Sequence, residues 1–130
     1  MIIEAAIGAG GGLALLALFA RMGDRALADG GYIALVAMLA IYLGAELVTG
    51  SLASIITEMA VTSAVIVLAR VAMMRWPPAI GVFVFLHGLY DAYFGASTGV
   101  AAWYPPLCAG FDVVVGIGLV AILHRRRSTY

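Results

Sequence analysis

Lysine is missing from this 130-residue chain, and cysteine occurs once, as Cys108. One cysteine excludes an internal disulfide and leaves the redox compartment open. Charge is scarce: acidic and basic residues make up 11% of the chain, against about 25% in an average soluble domain. The seven basic residues, all arginine, balance seven acidic ones, so the net charge is zero. That balance excludes the basic footprint of a nucleic-acid binder. Short segments of alternating polar and apolar residues are also lacking, which argues against a transmembrane barrel. No internal repeat is visible, so the inverted symmetry of many transporters is absent too.

Apolar sequence is abundant. The chain is 65% hydrophobic with a mean hydropathy of +1.11. A soluble fold has nowhere to put so much apolar surface, so the expected class is all-α, a polytopic bundle of transmembrane helices. Runs such as Leu13 to Ala20 and Ile33 to Leu43 are continuous. A spanning helix needs about 20 residues. Five spans are predicted within one integral membrane domain, at residues 2–21, 32–48, 52–74, 79–95 and 107–124. The second is the weakest, being short and carrying Glu46 near its end. Met1-Ile2-Ile3-Glu4 lacks the basic segment of a cleaved signal, so the first run is expected to stay as a helix.

The arginines support five spans. Arg21 and Arg25, Arg70 and Arg75, and Arg125 to Arg127 then all fall on one side. Positive charge collects on the cytoplasmic side, so the N-terminus is expected outside and the C-terminus inside. A four-span chain would divide the arginines between the two faces. The expected location is a cell membrane, the inner membrane of a bacterium. Gly8, Gly10, Gly11 and Gly12, with Gly81, Gly88, Ala92 and Gly95, give small-residue faces for close helix packing.

Polar residues inside the apolar runs carry the functional reading. His87 and Asp91 stand four residues apart in the fourth span and share one helix face, with Tyr90 beside them. Glu46, Glu58 and Asp112 fall in the same outer half of the membrane, and Glu4 lies at its edge. Lipid-facing carboxylates cost about 2.5–3.5 kcal/mol each even on insertion scales, so convergence on one outward-opening cavity is the cheaper arrangement. Stripes at a spacing of four, Ser54-Glu58-Thr62, Tyr42-Glu46 and Cys108-Asp112, point the same way.

His87, Asp91, Asp112 and Glu58 are the candidate catalytic residues for acid/base chemistry on a lipophilic small molecule. Tyr90, Glu46, Tyr93 and Trp103 are the candidate ligand contacts. No metal is assigned, because a lone intramembrane histidine without an H-E-x-x-H pattern is a weak signal. No cofactor is specified. Buried Asp, Glu and His also serve simply to tie helices together, and each of these residues has that plainer reading. Cys108 has no basic partner in sequence to make it a nucleophile. His124 borders the arginine tail as a surface residue, and Trp76, Trp103 and Tyr104 occupy aromatic-belt positions. Pro105 and Pro106 read as the start of the last helix more readily than as a lid. The expected partners are membrane lipid, a lipophilic small molecule, and either further copies of the chain or a larger membrane complex. Two other functions stay open: a non-catalytic accessory subunit, and a proton or cation transporter working as an oligomer.

His87-Gly88-Leu89-Tyr90-Asp91, a loop holding Pro105-Pro106, and Cys108-Ala109-Gly110-Phe111-Asp112 form a pattern. It resembles a family of small bacterial membrane proteins catalogued as a domain of unknown function, with H-x-x-[WY]-D followed by C-A-x-x-D. The resemblance covers about residues 85–120. It implies that His87, Asp91 and Asp112 belong to one motif, and it brings no established activity. Members often carry a further histidine where this chain has Tyr93 and Phe94. Emopamil-binding-type sterol isomerases offer an analogy of site type alone, with buried His, Glu and Asp in a small helical bundle.

Overall fold

The computed structural model describes residues 1–127, and these form five α-helices with no strand among the described residues. They are α1 (Ile2–Phe19), α2 (Asp24–Thr49), α3 (Leu52–Arg75), α4 (Ala79–Phe94) and α5 (Tyr104–Arg127), with a 3-10 turn over Gly95–Ser97. All five are long and apolar enough to cross a membrane once the 3-10 turn is counted with α4. The chain is therefore a multi-pass integral membrane protein. Large side chains such as Ile3, Ile33, Val48 and Leu52 face outward, as a lipid solvent requires.

Local sequence sets the breaks. Ser51 caps α3, its side chain accepting the Ser54 amide at 3.2 Å. Pro77 forces Trp76 into an extended conformation and ends α3. Pro105 and Pro106 occupy the first turn of α5, where the missing amides cost nothing.

Four bounds differ from expectation by more than one residue. The second helix starts at Asp24, not Tyr32, and at 26 residues it is the longest instead of the weakest. Its polar first turns are held by ion pairs, Asp24 to Arg126 at 2.9 Å and Asp29 to Arg70 at 3.2 Å. Gly30-Gly31 reads as a breaker, yet Gly31 is buried where a side chain would meet Leu119 and Ile80. Packing overrides propensity there. The last helix starts at Tyr104 instead of Leu107 and runs to Arg127, because Arg126 also donates to the Met22 and Ala20 carbonyls at 2.8 and 2.5 Å. The first helix ends at Phe19, short of Arg21.

α5 lies between α1 and α4 and packs on both more extensively than any other pair of helices does. α2 and α3 pair with each other, and both also touch α4. Glycines allow the central approach. Gly81 and Gly116 face each other, so that a methyl group on Gly116 would sit 2.7 Å from the Gly81 carbonyl oxygen. Gly8 and Gly12 meet the α5 backbone, whereas Gly10 looks into open space and Gly11 only brushes Phe111. The apolar core of Leu27, Leu35, Ile80, Val84, Leu119 and Leu123 fills the half of the bundle nearer the arginines. The other half holds the buried polar groups.

Candidate functional site

α4 and α5 build the site together. His87 and Asp91 share one face of α4 because four residues make roughly one turn. Asp112 meets them from α5, where Gly88 lets the helices close until its missing side chain would lie 2.8 Å from Asp112 Cβ. His87 Nδ1 lies 2.8 Å from Asp112 Oδ2 and 3.5 Å from Asp91 Oδ2. All three residues are buried, Asp112 completely.

Tyr42 of α2 completes the group by donating its hydroxyl to Asp91 Oδ1. It is 1% exposed, too deep for an interfacial tyrosine, so its hydroxyl needs an internal acceptor. The sequence offered only its spacing to Glu46, and the contact with Asp91 spans 49 positions. A tyrosine inside an apolar run, away from the aromatic-belt positions, is the signal that could have found it. Tyr42→Phe should lower stability by about 1–2 kcal/mol, since it strips a buried carboxylate oxygen of its donor. Urea or thermal unfolding in mild detergent measures this, and an unchanged midpoint would contradict the contact.

Three buried atoms of the cluster have no hydrogen-bond partner among the described residues: His87 Nε2, Asp91 Oδ2 and Asp112 Oδ1. Such atoms are expensive unless something else meets them.

Two cavities flank the cluster. One, of about 330 Å³, lies between α2, α3 and α4 and is lined by Tyr42, Glu58, Val61, Val65, His87 and Tyr90, among others. Val61 and Leu86 of its wall are each half exposed, so it meets the apolar flank between α3 and α4. The other, of about 400 Å³, reaches Asp91 and is walled by Ala92, Ala96, Ala102, Pro105 and Pro106 at the end opposite the arginines. The prolines thus start α5 and wall this second cavity.

Comparison of the chain with protein-family models, with curated proteins and with solved structures finds no match.

The candidate residues divide accordingly. His87, Asp91 and Asp112 come together in one buried cluster. Glu58 shares the first cavity with His87 and Tyr90 and lies within electrostatic range of both His87 and Glu46. Glu46 is half-buried and is not part of the cluster. Tyr90 stacks edge-on against Tyr42 at 5.6 Å and lies 6.2 Å from His87, ring to ring. Tyr93 is 78% exposed and Trp103 is 56% exposed, so the structure leaves both outside the cluster and the first cavity. Trp103 packs edge-on against Tyr104, which in turn meets Tyr42. The Ser54 hydroxyl donates to the Ser51 carbonyl at 2.8 Å, and Cys108 is buried one turn from Asp112.

Proposed function

We propose that this membrane protein takes a lipophilic small molecule into the cavity between α2, α3 and α4. The ligand's polar group would sit against Glu58 and the partnerless Nε2 of His87. The observation that carries the reading is the composition of the cavity wall. Apolar side chains dominate it, and the few polar ones, Glu58, His87, Tyr42 and Tyr90, stand along its α2, α3 and α4 sides. Ligand sites for lipophilic molecules have this make-up, apolar walls with a few placed polar groups. Entry from the bilayer is supported by the half-exposed Val61 and Leu86 at the flank. Acid/base chemistry on the bound molecule would fall to Glu58, a carboxyl on the cavity wall outside the buried cluster.

The same reading places the arginine end of the bundle in the cytoplasm of a bacterial cell, with the N-terminus outside. Arg25, Arg70 and Arg126 all gather there with Asp24 and Asp29.

Native mass spectrometry of the gently extracted protein tests the proposal. A lipid-like adduct is expected on the wild type. Val61→Phe and Val65→Phe each add a ring inside the cavity and should lower adduct occupancy about tenfold, the equivalent of about 1.4 kcal/mol. A wild type that carries no such adduct, or filled variants that keep it, would overturn the reading.

A further inference from the structure

We propose that His87, Asp91 and Asp112 bind one divalent transition-metal ion of the zinc, manganese or iron class. The inference goes beyond the lipophile cavity and does not depend on it.

Geometry is the first argument. One ligand atom from each residue lies within 4.8 Å of the others, and the three come from two helices that share a tight interface. Metal bonds of about 2.0–2.2 Å to nitrogen and oxygen at tetrahedral or octahedral angles hold ligand atoms about 3.0–3.5 Å apart. His87 Nδ1 lies 2.8 and 3.5 Å from the two aspartate oxygens, which brackets that separation.

Charge is the second argument. Two buried carboxylates around one imidazole leave surplus negative charge in an apolar interior. A buried charge must be neutralised, and here either a proton taken up by one carboxyl or a bound cation does so. One divalent cation with a neutral imidazole brings the group to zero. The partnerless Asp91 Oδ2 is one oxygen such an ion would satisfy, and Asp112 keeps a second oxygen, Oδ1, without a partner beside the one that faces His87.

The surroundings fit as well. A metal-bound carboxylate is usually steadied by an outer hydrogen bond, and Tyr42 supplies one to Asp91 Oδ1. An ion also needs a way in, and the second cavity reaches Asp91 from the end of the bundle opposite the arginines. The donor set narrows the ion. A nitrogen ligand beside only two carboxylates disfavours calcium and magnesium, which prefer oxygen and higher coordination. Three protein ligands leave a position open on the ion, as in catalytic rather than structural metal sites. Sequence spacing paired His87 with Asp91 but left Glu46, Glu58 and Asp112 as alternatives for the third ligand, because that ligand lies on another helix.

The test uses the full chain in mild detergent, free of a histidine tag, stripped with chelator and then dialysed against Zn²⁺ or Mn²⁺. Elemental analysis should find one ion per chain. Co²⁺ loaded in the same way should show d–d absorption bands. His87→Ala, Asp91→Asn and Asp112→Asn should each weaken binding at least about a hundredfold, the upper end of what loss of an outer partner costs. Each variant's fold is checked by its unfolding transition, and Asp91→Asn, nearly isosteric, serves if the others do not fold. Glu58→Gln should keep the ion, so a failure of the cavity reading does not disturb this result. A folded wild type that takes up no stoichiometric Zn²⁺ or Mn²⁺ overturns the proposal. So does a metal that persists in all three cluster variants.

Discussion

Asp112→Ala should destabilise the protein by about 3–5 kcal/mol, the loss expected when one member of a buried ionic pair is removed and the other is stranded. His87 would lose its nearest partner, at 2.8 Å. The double variant His87→Leu with Asp112→Leu should lose less than the two single changes added together, because neither member of the pair is then stranded by the other, while Asp91 keeps its Tyr42 hydrogen bond. Equilibrium unfolding in mild detergent with chelator present isolates the pair from any bound ion. Strictly additive losses in the double variant would mean that the two side chains do not act together.

Gly88→Leu should cost about 3 kcal/mol, at the upper end of what overpacking a tight interface costs. The first carbon of any side chain at this position would lie 2.8 Å from Asp112 Cβ, 3.1 Å from the Val113 amide nitrogen and 3.3 Å from the Ala109 carbonyl oxygen. Two of those three are backbone atoms and cannot swing away. α4 and α5 must separate, and they separate at the level of His87 and Asp112. Gly10→Leu is the control, since nothing lies within 4 Å of its missing side chain. It should be neutral or slightly stabilising, because glycine in a helix costs about 0.5–1 kcal/mol against alanine. Thermal unfolding of the two variants side by side decides the matter. Equal midpoints would mean that α4 and α5 are not so closely packed at Gly88.

The number of helices was legible because continuous apolar runs need no tertiary information. The lipid solvent forces each into a helix that satisfies its own backbone. Bounds were less legible. The start of α2 hid behind Asp24, Asp29 and the Gly30-Gly31 pair, a polar and flexible stretch by local criteria. It is helical because Arg70 and Arg126 arrive from α3 and α5, and no local propensity encodes that arrival.

The site divides along the same line. His87 and Asp91 were joined by helical periodicity alone. Depth in the membrane argued that Asp112 and Glu58 must turn inward, since a lipid-facing carboxylate is costly. The argument from cost could not say which carboxylates would meet. Asp112 reached His87 because glycine 88 lets α5 close on α4, while Glu58 reached only the neighbouring cavity. Tyr93 and Trp103 stay largely exposed, Tyr93 on the face of α4 away from His87 and Asp91.

By itself, then, the sequence determined an all-helical membrane chain of five spans with arginines at one end, and placed His87 and Asp91 on one helix face. Solvent and periodicity act locally, so one dimension suffices for them. The tertiary structure alone decided that Asp112 and Tyr42 close around that pair and that two cavities flank it. These depend on how far apart packed helices stand, which the side chains of several distant segments set together.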